Sequence, residues 1–140
     1  VRVYGPSGSR STPTDRNPST VILSAGSSVG VGGIGDTTLI TYTVPAGRRA
    51  LLTCSITASV DIGPLAAGQL GVCYMIVASA GTGAPRLNLG TNTPSGTHEE
   101  VTVPGIQVAA GQTQQVHYSL NAGAGTMSVS GLITGVEYDA

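Results

Sequence analysis

Tryptophan, phenylalanine and lysine are all missing from the 140 residues, and charged residues make up only 9% of them. Each absence narrows the function. Sugar-binding β-sandwiches stack pyranose rings on exposed aromatics, and with only Tyr4, Tyr42, Tyr74, Tyr118 and Tyr138 available the chain is a poor carbohydrate-binding module. Six arginines stand against seven acids, giving a formal net charge of -1. No long-range field draws in polyanions, and nucleic acid is not an expected partner. So little charge also gives weak electrostatic protection against association, which suits a chain built into an assembly better than an isolated monomer. No apolar run approaches the roughly 18 residues of a membrane helix, so no membrane partner is expected. The opening Val1-Arg2-Val3-Tyr4-Gly5-Pro6 lacks the basic-then-apolar layout of a signal peptide.

What is abundant points to strands and turns: 21 Gly, 8 Pro and many Ser, Thr and Val. The length fits one domain with a self-sufficient core. Residues 1–20 hold three arginines, three prolines and many hydroxyls, with no apolar periodicity after Tyr4. They read as an extended arm, either a loose terminus or a segment that orders on a neighbouring subunit. Residues 21–140 read as the folded domain. Val21–Ser24 is a short strand, followed by a loop over Ala25–Asp36. Thr37–Val44 is a β-branched strand that ends at the Pro45-Ala46-Gly47 turn. Arg49–Val60 has the clearest two-residue period, with Leu52, Cys54, Ile56, Ala58 and Val60 on one face and Leu51, Thr53, Ser55, Thr57 and Ser59 on the other. Gly68–Ser79 is a long strand apolar on both faces, a pattern that asks for cover from a loop or another subunit. Further strands are expected at Arg86–Leu89, Thr97–Val108, Thr113–Asn121 and Thr126–Tyr138, with Gly131 and Gly135 as bulge sites. About eight strands with no amphipathic helix predict an all-β, antiparallel jelly-roll-type sandwich.

One turn solution recurs, as Val44-Pro45-Ala46-Gly47, Leu65-Ala66-Ala67-Gly68 and Val108-Ala109-Ala110-Gly111, each glycine supplying a positive φ.

Catalytic and cofactor motifs are sparse. Gly30–Gly35 matches G-x-G-x-x-G, but a β-branched strand follows where a dinucleotide site needs a helix, so it reads as a loop. His98, Glu99, Glu100 and His117 are the places where a metal is conceivable. No H-E-x-x-H or H-x-H occurs, His98 and Glu100 share a face opposite Glu99, and a site would need His117 from another strand. No G-x-S-x-G elbow is present. Glu99, Glu100, Glu137, Asp139, Asp36 and Asp61 read as solvated or turn residues. Cys54 and Cys73 read as buried thiols, with a bridge between neighbouring strands as the alternative. No enzyme, cofactor or metal is expected.

The arm, the passage Thr41-Tyr42-Thr43-Val44-Pro45-Ala46-Gly47-Arg48-Arg49-Ala50-Leu51-Leu52 and the Ser/Thr/Gly-rich strands resemble small jelly-roll head-decoration (cement) proteins of tailed bacteriophages, and next to them tail-fibre and spike modules. The resemblance implies a virion structural protein on the capsid exterior, made in the host cytoplasm, that forms homotrimers and bridges major capsid subunits. It gives the arm, through Arg2, Tyr4, Arg10 and Arg16, a role in binding that partner. A receptor-binding fibre module is the alternative, and a small cupin-like enzyme or carbohydrate-binding module the second.

Overall fold

The computed structural model describes residues 17–29, 34–62, 71–79, 86–89, 96–120 and 126–140, and all eight of its elements are strands. They are β1 (Ser19–Val29), β2 (Ile34–Thr43), β3 (Arg48–Ile62), β4 (Gly71–Ile76), β5 (Arg86–Leu89), β6 (His98–Ala109), β7 (Thr113–Leu120) and β8 (Thr126–Asp139). They form two four-stranded antiparallel sheets, ordered β1-β8-β3-β6 and β2-β7-β4-β5. Across the two sheets the pairs nest, β1 with β8, β2 with β7, β3 with β6 and β4 with β5. A long antiparallel ribbon wound into two facing sheets is the jelly roll that the strand count predicts.

The core lies between the sheets. Leu52, Cys54, Ile56, Ala58 and Val60 of β3 all point into it, as the two-residue period requires. Met127, Val129 and Ile133 of β8 join them, and Cys73, Met75, Val116 and Tyr118 face them from the second sheet. Each fully buried Leu, Ile or Met side chain here is worth about 1.5–3 kcal/mol of transfer free energy. Tyr118 also donates across the sandwich to Ser27 of β1 at 3.2 Å.

Several boundaries differ from the sequence reading. β1 starts at Ser19, two residues inside the expected arm, and runs on to Val29 through residues read as loop. Its Ser and Gly give no apolar period, yet its backbone pairs continuously with β8 from Ser19↔Glu137 to Val29↔Met127. Gly131 and Gly135 are not bulges, since β8 pairs both in unbroken register. They are close-approach sites. A Cβ on Gly131 would lie 3.0–3.2 Å from Ile40 and Val116 of the facing sheet, and one on Gly135 only 2.1 Å from the Leu51 carbonyl. The register shifts fall instead in β2, between β3 and β6 at Leu52/Cys54, opposite Pro104-Gly105, and between β3 and the start of β8 at Val60/Ile62.

Two of the three recurring turns lie side by side. Gly47 and Gly111 take φ of 75° and 80°, and Val44 exchanges backbone hydrogen bonds with Gly111 and Gln112 at 2.9 and 3.1 Å. The third, at Leu65–Gly68, lies outside the described residues.

Candidate functional site

The outer faces of the two sheets differ in what they expose. In the first sheet, outward positions are set by the inward set already named. They comprise Thr20, Ile22, Ser24, Gly26 and Ser28 of β1, Leu51, Thr53, Ser55, Thr57 and Ser59 of β3, and Ser128, Ser130, Leu132, Thr134 and Val136 of β8. None is charged. Ile22 is 69% exposed, and Leu51, Leu132 and Val136 each 40–44%. Three hydroxyl pairs bridge neighbouring strands, Ser55 with Thr102 at 2.9 Å, Ser28 with Ser128 at 3.2 Å, and Thr57 with Ser130. A shallow groove of about 490 Å³ crosses this face at Ser24, Gly26, Ser55, Thr57, Ser130 and Leu132. Hydroxyls already bonded to one another cost less to cover than hydroxyls stripped of water. Three strands that are uncharged between Ser28 and Val136, with apolar side chains and paired hydroxyls at three places, are suited to lie against another protein surface.

At one end of this face sits a corner where β3, β6 and β8 meet. Arg49 pairs in register with Tyr138 and Ala109, and its guanidinium carbon lies 5.1 Å from the centre of the Tyr138 ring. Arg49 Nε is buried without a hydrogen-bond partner. Such an orphan donor costs about 1–3 kcal/mol.

Arg48, one residue earlier, points the other way and is fully engaged. Its Nε donates to Glu137 Oε1 at 2.8 Å, Nη1 to Asp139 Oδ1 at 2.6 Å, and Nη2 to both Ser19 Oγ and the Glu137 carbonyl at 3.1 Å. Tyr42 donates to the other Glu137 oxygen. Tyr42 and Arg48 hold the Glu137 carboxyl below its ordinary value. Burial, then the Glu137 carboxylate, pushes the Tyr42 phenol up. Glu137 and Asp139, read from sequence as solvated, instead clip β1, β2, β3 and β8 together at one end of the sandwich. Partners lying nearly a chain length apart leave no local signal of this.

The second sheet covers part of its outer face with its own side chains. His117 of β7 is 7% exposed, its Nδ1–H donates to Asp36 Oδ2 at 2.9 Å, and Nε2 lies 2.8 Å from the Gln115 amide oxygen. Tyr74 of β4 stacks on the imidazole, with centroids 5.1 Å apart and planes 15° from parallel, and donates to Asp36 Oδ1 at 2.5 Å. An Asp–His pair is chemically suggestive. Here, though, Nε2, the nitrogen that would act as a base, rests against Gln115, and the ring is held flat against Tyr74. Asp36, expected in a loop, sits in β2 because the strand begins at Ile34.

This network corrects the reading of Gly68–Ser79. The strand is β4, shorter at Gly71–Ile76, with Cys73 and Met75 in the core. Val72, on its other face, is buried within the single chain, and Tyr74 is half-buried against His117. A second subunit is not needed to cover it.

The metal candidates are divided between sheets. His98 lies 3.8 Å from Glu100 on exposed β6, and His117 is on β7 of the other sheet. No group of three potential ligands forms among the described residues. Cys54 and Cys73 are fully buried free thiols on strands of different sheets. Burial pushes both up, Cys73 to about 12. Among the described residues no helix is long and apolar enough to cross a membrane. The arm candidates Arg2, Tyr4, Arg10 and Arg16, and Gly30–Gly33, lie outside the described residues.

No protein-family model and no curated protein matches the chain. Solved structures similar to it include a chain from Bacillus endospore appendages, described as forming a novel family of disulfide-linked pili. That chain is 12% identical with a TM-score of 0.46, and the match covers 94% of this chain and 96% of that one. Another is a chain from the infectious bursal disease virus Gx strain, 15% identical with a TM-score of 0.39, covering 91% of this chain and 33% of that one. This chain therefore spans about a third of that viral protein.

Proposed function

We propose that the protein is a non-enzymatic structural subunit, a homotrimeric decoration (cement) protein on the outside of a tailed-bacteriophage head. The observation that carries this reading is the outer face of the first sheet, neutral across three strands, with Ile22, Leu51, Leu132 and Val136 exposed and its hydroxyls paired. A rigid sandwich with such a face works by contact. Bound only where the expanded lattice brings major capsid subunits together, it stabilises that lattice by mass action. The resemblance of Thr41–Leu52 and of the Ser/Thr/Gly-rich strands to phage cement supports the choice of assembly, and the arm through Arg2, Tyr4, Arg10 and Arg16 supplies a second contact.

The test is cosedimentation with purified empty heads, immature and expanded. Saturable pelleting with expanded heads is expected, and pelleting should be lost when Ile22 and Leu132 are both changed to Asp. Failure of the unaltered protein to bind either shell sinks the proposal. Light-scattering mass in free solution checks the trimer.

A further inference from the structure

We infer that the Arg49 corner is a receptor for a carboxylate side chain, Asp or Glu, carried by a partner polypeptide. The corner is a cavity of about 330 Å³ lined by Arg49, Gln107, Ala109, Gln112 and Tyr138, among others. Among the described residues no acidic one lines it. Its donors are held in place without being used up. Tyr138 carries the guanidinium on its ring, and the Nε–H, one arm of the fork that grips carboxylates side-on, is buried and unpaired. Gln112, which also lines the cavity, accepts from the Ala109 N–H at 3.0 Å through its Oε1, a bond that makes no use of its NH₂ group. The neighbouring Arg48 shows what a finished site looks like in this chain, with carboxylates on Nε and Nη1. Arg49 has the same chemistry and, among the described residues, lacks the acid.

A carboxylate fits this gap because it is planar, anionic and purely accepting. A polypeptide is the source because the corner opens onto the apolar end of the neutral face. Leu51 and Val136, exposed on the same side, each lie two residues from Arg49 and Tyr138. An acidic residue flanked by apolar ones matches both parts at once. The inference does not depend on which assembly the protein joins, so failure to bind phage heads leaves it standing.

The test follows the arginine Nε–H resonances of the ¹⁵N-labelled protein during titration with the peptide acetyl-Leu-Glu-Leu-amide. The Gln counterpart, sodium acetate and inorganic phosphate serve as comparisons. The expected result is a saturable shift at Arg49, with affinity about tenfold or more above that of the Gln peptide. It should be lost in Arg49→Gln and weakened in Arg49→Lys, with both variants still giving a cooperative melting transition. Equal response to the Glu and Gln peptides overturns the inference, as does a response at another arginine that Arg49→Gln leaves intact. Binding of acetate as tight as that of the peptide also overturns it, showing a site for free carboxylates. Tighter binding of phosphate does the same, showing a general anion site.

Discussion

The two sheets share a core but treat their outer surfaces differently. On the β2-β7-β4-β5 sheet Asp36, Gln115, His117 and Tyr74 form a bonded, stacked patch that covers part of the outer face with the sheet's own side chains. Across β1, β8 and β3 the other sheet pairs hydroxyls and leaves Ile22, Leu51, Leu132 and Val136 exposed, its charges standing at the margins, Arg49 at one end and Glu100 on β6. A patch that has satisfied itself gains little from a partner, whereas three strands that expose apolar side chains with no charge between them gain by being covered. The asymmetry assigns the chain's outward business to one side of the sandwich.

The strongest way to break the contrast is to remove the first sheet. Gly135→Ala places a Cβ against the Leu51 carbonyl in the middle of the β3–β8 pairing, and a loss of about 4 kcal/mol or more is expected, read as failure to give a cooperative unfolding transition. Next in size is the self-closing patch. His117→Ala leaves Asp36 and Tyr74 without their shared partner and should cost about 1–3 kcal/mol in urea unfolding, with a smaller loss for Asp36→Asn.

The clip at the end of the sandwich sharpens the comparison through pH. Glu137 is held below its ordinary value of 4.5, so the folded state favours its ionised form. Its contribution is fully present above that value and is lost as pH falls through the lower, folded one. Melting temperature should therefore decline on acidification below 4.5, and Glu137→Gln should flatten that part of the profile. The smallest expected effect on folding comes from the open face itself. Leu132→Ser with Val136→Ser should change stability by no more than about 0.5 kcal/mol per site in chemical denaturation, while abolishing association with the partner. A large loss of stability instead would mean that this face contributes to the fold and not to docking.

The core was legible where side chains alternate. Leu52 to Val60 reads unambiguously because β3 is central in its sheet, backed by the core on one side and by hydroxyls on the other. β1 was half-hidden, since Ser24–Val29 is held by backbone pairing to β8 and its small residues carry no period. The glycines of β8 were visible as exceptions and misread in kind, because whether a glycine makes room for a kink or for a neighbouring atom depends on the facing sheet. The open face was legible as the wet side of β3, but not its continuation across β1 and β8. The Arg48 and His117 networks were not readable at all. Their partners, Glu137 and Asp36, lie 89 and 81 residues away, and only the winding of the ribbon brings them together.

That winding also sets the order in which the molecule can be made. Because the strands pair as nested couples, β4 with β5 innermost and β1 with β8 outermost, the couples differ greatly in the length of chain that must be looped before they meet. Loop closure favours the inner couple, and a topology so rich in distant contacts belongs with the β-sandwiches that fold in milliseconds to seconds rather than microseconds. Among the strands of the open face, β1 meets β8 only across the longest loop of all, while β3 meets β6 across one shorter than that between β2 and β7 of the other sheet. The β1 edge is thus the part of the offered surface that costs most to close, and a chain that has not brought β1 to β8 presents that surface without Ile22.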